Sequence, residues 1–349
     1  MGADYKVTSP VPRDVWRDLM AGDPEAIPYQ SPAWLDAICL GGRYRDASRL
    51  YEFADGCRIA LPMVRRRLLP AVLSTASSFP SGWGMGGLLV STELQPHHIQ
   101  SIIRDVGTLP YLRLSVRPNP RRGTLWTNAL ATEKVRTHPR LAHVIDLSKG
   151  FDDVWNTRFS KETRSRIRKA EKSPIEVKSA SGGELVPALY GLLEKSVVRW
   201  AKRQNEPVAL ARWRFRQRDP VAKLHAIAAA MGEQCRIWMA WVGGQPAAGL
   251  LLLIGKNVND SRAAIDREAL GTSGANDLIQ KLAIEEACRL GCQYYHLGET
   301  GSSAPLAHYK ERFGAAPYSY SEYYFEKIPF TRIEAKMINA VKWAIRFKD

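Results

Sequence analysis

Two runs of cationic side chains are the most concentrated chemistry in this sequence. From Arg158 to Lys172 seven basic residues accompany two glutamates, a net of +5, and from Arg199 to Arg218 seven accompany one, a net of +6. Clustering like charge raises self-repulsion, so a polyanionic partner is the expected reason for it. Trp200, Trp213 and Phe215 lie within the second run. Aromatic rings between cations suit unpaired bases, because every base offers a π face to stack on. The plainer alternative places each ring in the core side of an amphipathic helix.

Proton acceptors are the next requirement of any transfer chemistry. Asp266, Glu299, His296 and His308 are the candidates, with Asp266 and Glu299 at or just past the ends of expected strands. The loop Thr272-Ser273-Gly274-Ala275-Asn276 opens a helix at Asp277. Its free N–H groups suit a phosphate, or else Ser273 or Asn276 simply caps the helix. Cys288-x3-Cys292-x3-His296 lacks a fourth ligand, so buried thiols are expected there and no metal site. Gly82, Gly84, Gly86 and Gly87 do not follow a phosphate-loop spacing and are expected to form a tight turn before a strand.

The rest of the 349 residues sets bounds. Hydrophobic residues make up 45% and charged residues 24%, which excludes a disordered chain and suggests two domains. The net charge is +15, and outside the two basic runs residues 151–349 are slightly acidic. The longest apolar stretch, Ala247 to Ile254, is far short of a membrane span, so no membrane insertion is expected. The N-terminus shows no apolar leader, and Lys6 stands where a myristoylation signal needs Ser or Thr. Five scattered cysteines fit reduced thiols in a cytoplasm.

The elements that must position these groups read as α/β. Residues 31–40 form a short helix and 50–65 a hairpin turned by Asp55-Gly56. A helix over 96–107 and strands over 111–116 and 143–147 follow. The second half begins with one basic helix from Phe151 to Lys172, then a strand, helices over about 184–204 and 209–231, and a three-stranded meander from Cys235 to Ile265. A helix from Asp277, strands over 293–297 and 318–326, and a short helix over 305–313 complete it. The terminal helix, Phe330 to Phe347, carries Ile333, Met337 and Val341 opposite Lys336 and Lys342. Packing against the adjacent domain is expected of it, with an anionic lipid surface as the alternative.

This order resembles the tandem GNAT-fold transferases, meaning the Fem-type aminoacyl transferases and their acyltransferase relatives. The matching segments are SKETRSRIRKAEKSPIEV, WMAWVGGQPAAGLLLLI, LGTSGANDLIQKLAIEEACRLGCQYYHLGE and LAHYKERFGAAPYSYSEYYF, with YQSPAWLDAI, DGCRIALPMVRRR and FPSGWGMGGLL in the first half. The resemblance implies two GNAT-like domains with mixed sheets: residues 1–150 on the acceptor side and 151–349 on the donor side.

It also implies transfer of an acyl or aminoacyl group to an amine. Tyr309-Lys310-Glu311-Arg312-Phe313 matches the family's aromatic-Lys-x-x-Phe motif, whose lysine lies near the acyl carbonyl. The resemblance thus nominates Lys310 for catalysis with Tyr309 beside it, and the strand-end carboxylates Asp266 and Glu299 join as candidate proton acceptors. Ser273, Gly274 and Asn276 of the helix-start loop, and Arg164, Arg168, Trp200 and Trp213 of the basic runs, are the candidates for binding. Arg267–Ala275 stands where the relatives that use acyl-CoA carry their pantetheine loop, and it departs from that spacing. The leading expectation is an aminoacyl-tRNA donor, a small amine acceptor and no bound cofactor. Acyl-CoA as co-substrate is the alternative, and a non-catalytic nucleic-acid-binding protein is the third reading.

Overall fold

The computed structural model describes residues 5–347. Eleven strands form one continuous sheet. Its order is Ile175–Ser181, Cys235–Val242, Gln245–Ile254, Val258–Ile265, Tyr294–Glu299, Arg136–Asp146, Ala316–Glu326, Arg113–Val116, Thr75–Ser77, Val64–Arg66 and Tyr44–Asp46. A second sheet of four strands lies in the first half. This is a mixed α/β fold whose two halves share the central strands of the large sheet. Arg136–Asp146 pairs with Tyr294–Glu299 on one side and with Ala316–Glu326 on the other. Ala316–Glu326 then pairs with Arg113–Val116, so the sheet runs through the chain position where the halves meet.

The meander forms because its residues are apolar on both faces. Residues 247–253 are all buried, beneath helix Val186–Arg203 on one side and helix Ala275–Arg289 on the other. Gly249 is required there. A β-carbon would come within 2.6 Å of Met239 Sδ and 2.8 Å of Leu189 Cδ1.

One feature of the sheet makes the site. Val258–Ile265 and Tyr294–Glu299 are parallel and pair at only two positions, Val258 with Tyr295 and Asn259 with His296. Beyond these the first strand stays bonded to Gln245–Ile254 as far as Ile265, while the second follows Arg136–Asp146 through a register shift before Glu299. The two strands therefore splay apart.

Three expected elements differ. The basic helix is not continuous: Gly150–Asp153 and a π-type turn at Val154–Arg158 stop at Phe159, and Ser160 caps a new helix, Lys161–Glu171. The helix expected over 209–231 is two, Val208–Arg218 and Val221–Met231, because Pro220 lacks the N–H that continuation needs. The terminal helix, Phe330–Ala344, does not bury its apolar face: Ile333, Met337, Ile338 and Val341 are each at least half exposed.

Candidate active site

Lys310 occupies the splay. It projects from helix Ala304–Glu311 and is 4% exposed, so it is no solvated surface lysine. Its Nζ donates to Gly298 O at 2.8 Å, Glu299 O at 2.9 Å and Thr300 Oγ1 at 3.0 Å, which engages all three ammonium protons. Burial pushes its pKa down to about 8, against the Asp260 and Glu299 charges that favour the cation. Asp260 lies on the other splayed strand. Burial pushes its carboxyl up to about 7, with Lys310 and Arg262 pulling the other way. A carboxyl and an amine that titrate near neutrality in one wedge are suited to proton transfer.

A hydrogen bond between Thr300 and His143 backs the lysine, with Glu311 beyond it. Thr300 Oγ1 lies 2.7 Å from His143 Nδ1, and His143 Nε2 is 3.5 Å from Glu311 Oε1. His143 is wholly enclosed, and burial lowers its pKa, so the ring is neutral at pH 7. Glu299 faces the opposite way. Its carboxylate accepts from Tyr320 Oη at 2.6 Å and from Arg140 at 3.4 Å. Arg140 and Arg117 also bond Glu322, at 2.6 and 3.0 Å.

Two cavities flank this centre. One, of about 230 Å³, lies between helix Val186–Arg203 and the splay, and Trp200, Asn276 and Tyr309 all line it together with Arg199. Apolar Ala248, Leu250, Ala263 and Ala264 form much of its wall. The second, of about 410 Å³, is polar and includes Arg66, Arg113, Arg117, Arg140, Glu322 and Tyr324. Tyr309 belongs to the first, and the arginines that hold Glu299 belong to the second, so the Lys310–Glu299 turn lies between them.

The other nominated residues have different surroundings. Asp266 caps helix Arg267–Leu270, accepting from Glu268 N at 3.1 Å, and pairs with Lys195 at 2.5 Å. It therefore stabilises a loop, and Asp260, six residues earlier, holds the place in the splay that proton chemistry needs. Ser273 Oγ donates to Leu270 O and accepts from Ala275 N, an ordinary helix-start arrangement. Gly274 adopts φ +75° and packs against helix Lys161–Glu171, where an added β-carbon would come within 3.4 Å of Arg166 O. Arg164 donates through Nη1 to Trp155 O, Asn156 O and Phe159 O, so it closes the π-type turn. Arg168 is exposed, with its guanidinium 5.9 Å over the Trp155 ring. Trp213 is 62% exposed and lies outside the Trp200 cavity.

The second basic run is less unbalanced than its sequence suggests. Arg216 pairs with Glu194 and Arg218 with Asp219, acids just beyond its ends, and Arg214 pairs with Glu206. Lys202, Arg203 and Arg212 have no acidic partner among the described residues. The helix N-terminus at Ala275 is also occupied. Asp277, in its first turn and 2% exposed, accepts from Arg312 and lies 4.0 Å from Arg166.

The glycine-rich segment is a packing device. A β-carbon at Gly84 would meet the Tyr29 ring at 2.6 Å, and one at Gly87 would meet Pro118 Cα at 2.9 Å. Cys288 and Cys292 are held up to about pKa 11 by burial, which leaves both as inert thiols.

Asp260 and His143 escaped the sequence reading. Asp260 sits mid-strand among polar residues, and His143 lies more than 150 residues from its partner Thr300. The faint signal was polarity inside a strand, Asn259 and Asp260, where a buried meander should be apolar.

Residues 157–311 match the family described as Acetyltransferase (GNAT) domain. Three solved structures extend the likeness over nearly the whole chain. A crystal structure of FemX superposes with a TM-score of 0.68 at 11% identity, covering 92% of this chain and 97% of that one. A protein of unknown function from Bacteroides thetaiotaomicron gives 0.56 at 13%, covering 92% and 98%. The C-terminal domain of a putative lysylphosphatidylglycerol synthetase from Agrobacterium fabrum gives 0.50 at 10%, covering 93% and 94%. No curated protein matches. Residues 157–311 are thus similar to a GNAT acetyltransferase domain, and the chain shares its overall fold with FemX.

Proposed function

We propose that this protein transfers an aminoacyl group from an aminoacyl-tRNA to a small amine acceptor. The observation that carries the donor assignment is Asp277. A helix start of this kind suits the phosphates of acyl-CoA, and here a buried carboxylate with its arginine already fills the positive helix end. The cationic Arg199 lines the donor cavity beside Trp200. The exposed Trp200 ring offers a stacking face for the terminal bases.

The chemistry is amide formation. The acceptor nitrogen attacks the ester carbonyl, a C–N bond forms, and Asp260 takes the proton that the nitrogen loses. Lys310 stabilises the oxyanion through its charge, since its protons are engaged by the Gly298–Thr300 turn. The C–O bond to the tRNA ribose then breaks, and the departing oxygen takes a proton from the Asp260 carboxyl. The acceptor enters by the arginine-lined cavity on the Glu299 side.

A second reading, an acyl-CoA-dependent N-acyltransferase, is favoured by the acetyltransferase domain match itself. Labelled aminoacyl-tRNA mixed with the protein and an amine pool separates the two. Label should pass to product, and ribonuclease should abolish it. Thiol release from acyl-CoA that ignores ribonuclease would establish the second reading. Retention of tRNA without loss of label would leave only a binding protein. Binding should weaken with salt by about 0.7–0.9 log units per log salt for each phosphate neutralised.

A further inference from the structure

We propose, resting on the transfer reading above, that the acceptor is a hydroxyl-rich amine carrying an oxyanion, phosphate or carboxylate, at the end away from its nitrogen. The arginine-lined cavity that admits it has one face of the large sheet as its floor. Thr75 and Ser77 are the parallel partners of Arg113 and Ser115, and Ser115 lies opposite Tyr324 on its other side. Arg66 and Tyr44, paired with each other, continue the same cavity toward the sheet edge.

A sheet face that covers no core turns polar, but these polar groups are sheltered and not simply washed by solvent. Thr75, Ser77 and Ser115 are each half-buried. None of their hydroxyls is bonded to another group among the described residues. Sheltered hydroxyls left open are what the hydroxyls of a polyol or sugar would pair with, since each can both donate and accept.

The charge of the lining is graded along the floor. At the inner end Arg117 and Arg140 share Glu322, at 3.0 and 2.6 Å. Midway, Arg113 donates to Glu334 Oε2 at 2.6 Å. At the outer end Arg66 is exposed, lies 4.9 Å over the Tyr44 ring and has no acidic partner among the described residues. Four arginines against two glutamates leave the lining cationic. An unpaired guanidinium offers its fork to a carboxylate or a phosphate. Charged side chains also blunt exposed sheet edges, but the edge strand here is Tyr44–Asp46, and Arg66 lies one strand further in.

Arg140 joins this cavity to the reaction centre. It also reaches the Glu299 carboxylate at 3.4 Å, and the Glu299 carbonyl holds Lys310. Arg140 and Arg66 stand on strands Arg136–Asp146 and Val64–Arg66, four steps apart in the sheet. At about 4.8 Å per step that is roughly 19 Å between backbones, which side chains from both ends shorten. The strands between them carry the open hydroxyls. An elongated acceptor therefore lies with its amine toward Glu299, its hydroxyls over Ser77 and Ser115, and its oxyanion at Arg66.

Isothermal titration of the full chain without tRNA tests this apart from the transfer assay. The probes are glucosamine, glucosamine phosphorylated on its primary hydroxyl, and glucosaminuronate, which differ only in the group at the end away from the amine. At least one of the two anionic probes should bind at a single site, the tighter one identifying the oxyanion, and glucosamine should bind about tenfold more weakly or worse. Arg66→Gln should weaken the anionic probe about tenfold and Ser77→Ala about threefold. Arg45→Gln, on the edge strand but outside the lining, should leave it unchanged. Absence of binding by both anionic probes, equal binding of glucosamine, or equal losses in Arg66→Gln and Arg45→Gln would overturn the proposal. Probe binding in this pattern without label transfer from aminoacyl-tRNA would uphold the site and sink the donor reading. Label transfer without probe binding would sink the acceptor class alone.

Discussion

Lys310 and Thr300 are joined by a 3.0 Å hydrogen bond at the point where two parallel strands part, and Thr300 in turn meets the neutral ring of His143 at 2.7 Å. The lysine is thereby held by the turn that also presents Glu299 to the opposite cavity. Substitution here should separate charge from packing. Lys310→Ala should lower transfer by about 10²–10³-fold, the usual effect of removing an oxyanion-stabilising group. Lys310→Met keeps much of the volume and should fail equally. Retained turnover in Lys310→Met would show that the lysine only supports the turn.

Transfer should follow a bell-shaped pH profile. Asp260 must lose its proton to act as a base, so the rate should rise through about pH 7. Lys310 must keep its charge, so the rate should fall above about pH 8. In Asp260→Asn the rise should vanish along with most of the activity, and kcat/KM measured across pH 5.5 to 9.5, roughly the span needed to bracket both groups, checks both limbs.

Trp200 and Trp213 should behave differently although both are exposed. Trp200→Ala removes a wall of the donor cavity and should weaken aminoacyl-tRNA binding by about 1–3 kcal/mol. Trp213→Ala should leave binding and KM unchanged. Equal losses in the two variants, read by filter retention, would point to a diffuse contact and not to the cavity.

Asp219 anchors the two halves. It accepts from Lys223 at 2.7 Å and Arg262 at 2.8 Å, and both cations also donate to Gly82 O. Burial alone would raise its carboxyl, but the charges of Arg262 and Lys223 win and hold it well below the usual carboxylate range. Because the folded pKa is depressed, its contribution to stability is present above about pH 4 and fades as the pH falls toward the folded value. Asp219→Ala should destabilise the protein by about 3–5 kcal/mol, since it leaves buried cations unpaired. Urea unfolding measures this.

Gly84→Ala should be destabilising by about 1–3 kcal/mol without changing donor affinity. Its φ of +91° and the Tyr29 ring both oppose a β-carbon. A selective loss of donor binding at unchanged stability would revive a phosphate-cradling role for this loop.

The amino-acid sequence by itself determined the succession of elements, the apolar meander, and the convergence of Tyr309 and Lys310 on one helix. Those features follow from local periodicity and turn chemistry, which act over a few residues. The glycine turn and the capping role of Ser273 were legible for the same reason. Tertiary structure alone decided which charges remain available. Arg164 and Asp266, both plausible in the chain, are engaged by nearby backbone and by Lys195. Arg216 and Arg218 find acids just outside the run that made them conspicuous. Asp260 and His143 acquired their character only from burial and from partners distant in sequence. A titrating group's chemistry depends on desolvation and on the charges around it, and neither exists until the strands have splayed and the helices have closed over them.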